Sequence, residues 1–169
     1  MKYIVKIILY AILTYAVILV QTTISGFFAI NGIKPNLALV ASLLVSYIAG
    51  GNDGIVFGWI IGFFQDAVSF TPFGLNTAIY ATVGFVSGFF KRRFYRFSPV
   101  APLVMFGGVS LIYSFTGYIL FLAGKVDIFF ISENVLLPEA FYNTTLTLAI
   151  YYLIQLLWFI FKREGKDVR

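Results

Sequence analysis

The sequence contains no cysteine and no histidine, and charged residues make up only 11% of its 169 residues. The absence of both residue types excludes disulfides, thiolate or imidazole metal sites, cysteine nucleophiles and Ser-His-Asp triads. A Walker phosphate-binding loop is also missing, because the nearest string, at residues 117–126, lacks the glycine spacing and the Ser or Thr after the lysine. An average soluble domain has about 25% charged residues to cover its surface, so a soluble globular protein is excluded as well.

Apolar residues dominate the composition of the chain. They make up 60% of the chain, aromatic residues make up 20%, and the mean hydropathy is +0.94. Between the charged residues lie six neutral stretches, at residues 7–33, 35–52, 54–65, 67–90, 97–124 and 140–161. A membrane-spanning helix needs roughly 20 mostly apolar residues, and four of the stretches are long enough. The second and third are short, and they predict two short spans, one long span or a re-entrant hairpin.

The distribution of Lys and Arg decides between these alternatives, because cytoplasmic segments are enriched in both. Six spans with the N-terminus inside place ten basic residues on the inner side and two, Lys34 and Lys125, on the outer side. One long span or a hairpin would move the cluster at residues 91–96 outside and abolish the bias. Within that cluster, we expect four side chains to set the topology and contact anionic lipid headgroups rather than nucleic acid. They are Lys91, Arg92, Arg93 and Arg96.

The chain is therefore predicted to be an all-α integral membrane protein. We expect a single polytopic domain, residues 1–169, with six transmembrane helices in one compact bundle and both termini in the cytoplasm. Helix 2 is expected to follow Pro35, and helix 6 is expected to start at Pro138. The approximate bounds of the six helices are residues 4–24, 37–50, 54–70, 73–90, 100–123 and 138–161.

Glycines recur at intervals of four on one face of helix 3, which carries Gly54, Gly58 and Gly62. Helix 4 carries two glycines at the same interval, Gly84 and Gly88. Glycines on one face allow another helix backbone to approach closely. The face predicts either internal packing of helix 3 against helix 4 or a groove for a transmembrane helix of another protein.

Asp66 follows the glycines at the same interval and lies well within a hydrophobic stretch. An ionisable residue in a membrane usually has a purpose. One interpretation is that its carboxylate accepts hydrogen bonds from backbone amides at residues 74–77 and so locks the outer turn between helices 3 and 4. Binding of a partner or ligand is the alternative. Catalysis is not expected, because an intramembrane aspartyl protease needs a second aspartate at depth.

Polar residues on helices 4 and 6 also recur at intervals of four. Polar side chains facing lipid are costly, so both faces should point into protein and form interhelical hydrogen bonds; a substrate path is the alternative for helix 6. Helix 4 carries Asn76 and Tyr80, and helix 6 carries Glu139, Asn143, Thr147, Tyr151 and Gln155. The outer segment at residues 124–137 is apolar and contains Phe129, Phe130 and Ile131, which are candidates for contact with a partner.

Several short motifs along the chain occur together in one known family. They are Lys-Pro-Asn-Leu at residues 34–37, two glycines and an aspartate at intervals of four within residues 58–66, Gly-Leu-Asn-Thr-Ala at residues 74–78, and Leu-Pro-Glu-Ala-Phe-Tyr-Asn at residues 137–143. In this combination, in length and in number of spans, the chain resembles the rod shape-determining protein MreD family over almost its whole length. Asn36 departs from the pattern, since an aspartate is common there, so a role for charge at this position is in doubt.

The resemblance implies a multi-pass protein of the bacterial inner membrane that belongs to the machinery of lateral wall synthesis. It implies that the protein works with MreC, a single-span periplasmic scaffold, with the actin-like MreB filament and with the RodA–penicillin-binding-protein synthase. It further implies a six-helix fold similar to the substrate-binding subunit of energy-coupling-factor vitamin transporters.

Two functions of different classes follow. The first is a membrane scaffold without catalytic residues or cofactor, which binds MreC through Gly58, Gly62 and the segment containing Phe129, Phe130 and Ile131, while Asp66 holds the outer turn. The second is a small-molecule binder like the vitamin-transporter subunits, with an outer pocket lined by Asp66, Asn76, Tyr80 and Asn143. An enzyme, a metal site or an ion channel is not expected from this residue set.

Overall fold

The computed structural model describes residues 2–23, 26–27, 29–30, 32–69, 72–94, 100–124 and 133–167. Within these ranges the chain forms six α-helices and no β-strand, so the predicted all-helical class is confirmed for the described residues. The helices are α1 (Lys2–Thr23), α2 (Leu37–Ala49), α3 (Gly51–Val68), α4 (Leu75–Phe94), α5 (Ala101–Leu122) and α6 (Glu133–Asp167).

Three of these helices contain apolar segments long enough to cross a membrane, namely Tyr3–Thr23, Ala101–Leu120 and Leu136–Lys162. Two shorter apolar segments, Leu37–Ala49 and Leu75–Phe90, belong to α2 and α4. At a rise of about 1.5 Å per residue, the 13 residues of α2 extend roughly 20 Å, less than the ~30 Å hydrocarbon core of a bilayer. The protein is thus a membrane protein in which α2 is shorter than the hydrocarbon core.

Consecutive helices run in opposite directions and define two ends of the bundle. At one end, which we name the capped end, α1, α3 and α5 finish and α2, α4 and α6 begin. The other end, named the basic end, carries the starts of α1, α3 and α5 and an ion pair of 2.6 Å between Lys6 Nζ and Asp53 Oδ2. Most of the lysines and arginines of the chain occupy helix termini at this basic end.

The backbones of α3 and α4 touch near the capped end. A Cβ atom added to Gly58 would collide with the carbonyl group of Tyr80, and one added to Gly62 would lie 2.5 Å from the Cα of Thr77. Real Cβ atoms do not approach other heavy atoms this closely. Only glycine therefore permits this packing of the two helices.

The contact continues to the basic end of the same hairpin. There, Gly84 lies against the backbone of Gly54, and Gly88 lies against that of Gly51. The glycine face of α3 is thus covered by α4 of the same chain. The predicted packing of helix 3 against helix 4 is confirmed. The alternative, in which Gly58 and Gly62 form a groove for a partner helix, is corrected, because α4 already occupies that space.

Aromatic rings join the α5–α6 pair to the rest of the bundle. Tyr47 of α2 packs edge-on against Phe106 of α5 and Tyr151 of α6, with ring centroids 5.3 Å apart in both pairs. Nearer the capped end, Tyr80 and Tyr113 stack with centroids 5.9 Å apart. All five rings belong to the buried core or to the residues packed on it.

Two helix starts differ from the expected ones by three residues or more. α2 starts at Leu37, as expected, and Asn36 is its N-cap, whose side chain accepts a hydrogen bond from Leu39 N. α3 starts at Gly51, because the single residue Gly50, with a φ of 108°, is enough to reverse the chain between α2 and α3. α6 begins five residues before Pro138, because a proline near a helix start forfeits only one intrahelical hydrogen bond.

The glycine contact predicts a large effect of a single methyl group. Gly58→Ala should destabilise the protein by about 1–3 kcal/mol, because α3 and α4 must separate to accommodate the Cβ atom. Gly108→Ala is the matched control, since nothing lies within 4 Å of the added atom on α5, and it should shift stability by no more than about 1 kcal/mol. Unfolding of the detergent-purified proteins measures both effects, and equal stability of the two variants would contradict the packing.

Candidate functional site

The first feature of the capped end is the start of α4, which lacks a side-chain cap of its own because its N-cap position is Gly74. Asp66 of α3 takes over this role. Its Oδ2 atom accepts hydrogen bonds from Gly74 N at 3.0 Å and from Thr77 N at 3.0 Å, and its Oδ1 atom accepts one from Asn76 N at 2.9 Å. The Thr77 hydroxyl group donates a fourth, at 2.6 Å to Oδ2.

This arrangement satisfies backbone donors that would otherwise be unpaired in an apolar environment. The first amides of a helix have no partner within it, and each unpaired group costs several kcal/mol in a bilayer. Asp66 is only 4% exposed, and its charge lies at the positive end of the α4 dipole. The prediction that Asp66 locks the turn between helices 3 and 4 is confirmed.

A second interhelical cap holds the start of α2. The side chain of Asn36 accepts from Leu39 N at 2.9 Å, and its Nδ2 atom donates to the hydroxyl groups of Tyr113 at 2.7 Å and Tyr80 at 3.0 Å. The backbone N–H of Asn36 donates to Oδ1 of Asn143, at 2.8 Å. One residue at the start of α2 therefore connects α4, α5 and α6.

Gln21 completes this cap from α1. Its Oε1 atom accepts from Leu37 N at 2.7 Å, and its Nε2 atom donates to the carbonyl oxygen of Pro35 at 3.3 Å. Five helices thus meet at Asn36 and its two neighbours. We name the set of Gln21, Asn36, Tyr80, Tyr113 and Asn143 the α2 clasp.

Four of the eight polar residues singled out on helices 3, 4 and 6 take part in these two caps. Asn76 donates its backbone N–H to Asp66 and its side-chain amide to Ser69 Oγ at 3.3 Å. Tyr80 and Asn143 belong to the α2 clasp, and neither has measurable exposure. Gln155 differs, because it is exposed and its side chain donates a hydrogen bond to the hydroxyl group of Tyr151 on its own helix. The polar face of helix 6 therefore does not point into the bundle at Gln155.

The remaining candidates fall at the edge of the described structure. Lys91, Arg92 and Arg93 lie at the end of α4, at the basic end. Arg96, Phe129, Phe130 and Ile131 lie outside the described residues.

Sequence reasoning missed the role of three members of the α2 clasp. A signal existed for Asn36, since an asparagine directly before an apolar run is typical of a helix N-cap. Gln21 was noticeable only as a polar residue near the end of an apolar helix. Tyr113 carried no signal, because tyrosines are frequent throughout this chain, at 11 residues.

The polar residues predicted from the sequence have a structural role in the bundle. Asp66, Asn76, Tyr80 and Asn143 bond to backbone and side chains of the same chain, and none of them lines either of two apolar grooves on the bundle. One groove, of about 560 Å³, lies among α1, α2 and α6. The other, of about 270 Å³, lies between α4 and α5.

Comparison with known proteins gives one match. The family model described as rod shape-determining protein MreD matches residues 1–161 of the 169-residue chain. Neither the curated proteins nor the solved structures give a match.

The Asp66 cap predicts an asymmetry between two aspartates on the same helix. Asp66→Ala should destabilise the protein by about 2–4 kcal/mol, because it leaves three backbone amides without an acceptor. Asp66→Asn should fall between this variant and the unchanged protein, since it keeps one acceptor oxygen. Asp53→Ala, the control at a partly exposed ion pair, should cost less than about 1 kcal/mol. Chemical unfolding in detergent measures all three, and an equal loss at Asp53 and Asp66 would contradict the cap.

Proposed function

Because the chain belongs to the rod shape-determining MreD family, we propose that it is a non-enzymatic scaffold of the bacterial inner membrane that binds MreC and helps to organise lateral peptidoglycan synthesis. Apart from this membership, one observation carries the proposal. The polar groups of the capped end bind the helix starts of the same chain, whereas the long helices present apolar side chains outwards. Such a molecule is suited to contacts with other helices rather than to chemistry.

We propose that all six helices cross the membrane, with the basic end in the cytoplasm. The helix termini at that end carry the basic residues at positions 2, 6, 91–93 and 162–166, which agrees with the excess of Lys and Arg on the inner side of membrane proteins. The 13-residue α2 is accommodated because local thinning of the bilayer has a modest cost.

The proposed binding surface for MreC is one face of α6. Exposed residues follow each other along this helix at intervals of four and three, so they share one side. They are Leu137, Phe141, Thr145, Ala149, Tyr152 and Leu156. Thr145 and Ala149 are small and lie in the middle, which allows a second helix to approach. Phe129, Phe130 and Ile131 precede this helix in the sequence, and we propose them as the contact for the region of MreC just outside the membrane.

The other proposed partners connect through this complex. MreC would link the chain to the RodA–penicillin-binding-protein synthase outside the membrane, and the basic end would face the MreB filament in the cytoplasm. The alternative, a small-molecule binder, has less support, because the four side chains expected to line its pocket make hydrogen bonds within the bundle.

Native mass spectrometry of the protein co-expressed with MreC of the same bacterium tests the proposal. We expect a complex of the two chains, and we expect Ala149→Trp to reduce it by about tenfold, because the bulky ring separates two helices that pack closely. Ala78→Trp on the exposed side of α4 is the matched control and should leave the complex intact. A lone chain that carries a small-molecule mass would favour the alternative function. Equal amounts of the MreC complex with the two variants would exclude the α6 face as the binding surface.

The topology is testable with single cysteines, since the chain has none of its own. In intact spheroplasts, Lys34→Cys should react with a membrane-impermeant maleimide, whereas Lys91→Cys should react only after the membrane is permeabilised. The reverse pattern would contradict the proposed orientation, and labelling of both positions from outside would contradict six spans.

A further inference from the structure

The apolar groove among α1, α2 and α6 has an unusual setting. At the basic end α1 is held by the Lys6–Asp53 ion pair, and at the capped end by the hydrogen bonds of Gln21. Between these two ties, the buried Thr14 and Ile18 pack into the bundle, and the ring of Tyr10 lies edge-on against Phe57. The adjoining side of α1 forms a wall of the groove, α2 forms the floor, and Ile150 and Ile154 of α6 form the opposite wall.

The lining of this groove is aliphatic along its whole length, apart from the ring of Tyr10. The lining gains dispersion contacts when an apolar group fills this groove of about 560 Å³. Water is not a suitable occupant, because the lining offers it no set of hydrogen-bonding partners. An apolar molecule from the membrane is therefore the occupant that the chemistry favours.

The length of the groove matches one leaflet of a bilayer. On α1 it extends from Tyr10 to Val20, about 15 Å along the helix axis, which is half of the ~30 Å hydrocarbon core. This length suits a hydrocarbon chain that crosses one leaflet.

The charge at the groove's end indicates the orientation of such a chain. Leu37 and Val20 line the groove at the capped end, where Gln21 bonds to Pro35. The exposed Lys34 directly precedes that proline. A lipid with its tail in the groove would place its headgroup at this level, where the ammonium group attracts an anionic phosphate.

We propose that the groove among α1, α2 and α6 binds one acyl chain of an anionic phospholipid, with the headgroup beside Lys34 at the capped end. The lipid fills the space between α1 and the rest of the bundle and so becomes a part of the folded structure. The site is distinct from the α6 face assigned to MreC, so either assignment can fail without the other. Only the leaflet, the outer one, depends on the proposed topology.

Native mass spectrometry with added phosphatidylglycerol or phosphatidylethanolamine tests the lipid site. The unchanged protein should retain one phosphatidylglycerol molecule in preference to phosphatidylethanolamine. Ala16→Phe, an exposed position that faces the groove, should weaken this binding by about tenfold, the change expected when roughly two methylene groups lose their contacts. Leu13→Trp is a second blocking variant. Ala78→Phe makes the same substitution as Ala16→Phe in the α4–α5 groove and should have no effect.

Further experiments distinguish a bound lipid from other occupants of the groove. Lys34→Gln should abolish the preference for phosphatidylglycerol while the bundle unfolds at an unchanged temperature; an unchanged preference would overturn the headgroup position. Equal lipid binding by Ala16→Phe and the unchanged protein would overturn the site itself. A photo-reactive residue at Leu13 should label lipid in cells, and labelling of a protein instead would show that a partner's side chains occupy the groove.

Discussion

The structure depends on one constraint, which is that a helix beginning in apolar surroundings must find acceptors for its first amides. Two of the helices, α2 and α4, begin inside the bundle at its capped end. Asp66 of α3 supplies the acceptors for α4, and Gln21 and Asn143 supply them for α2 together with its own N-cap Asn36. Each cap comes wholly or partly from another helix, so the same bonds that complete the secondary structure also join the helices.

The caps require an accurate register, which the glycine contact between α3 and α4 provides. Gly62 packs against Thr77, and Asp66, one turn further along α3, reaches the first amides of α4. A displacement of one residue along this hairpin would separate the carboxylate from its donors. Because the interior uses its polar groups in this way, the exterior is left almost entirely apolar and is available to lipid and to other helices.

The sequence was informative where the interacting residues are close along the chain. Asp66 and its partners are 8–11 residues apart, so helix spacing and a short turn were sufficient to predict their contact. The α2 clasp joins Asn36 to residues 44, 77 and 107 positions away, and no spacing rule reaches that far. The glycine face was recognisable as a site of close approach, but its partner, α4, became evident only from the folded arrangement.

The most direct test of this account is amide hydrogen exchange of the protein in lipid nanodiscs. If side chains of other helices cap α2 and α4, the amides of Leu37, Asn76 and Thr77 should be protected as strongly as those in the middle of α3. Exchange at these three positions that is as fast as at the exposed Lys34 would contradict the account, because it would mean that both helix starts are uncapped and open to water.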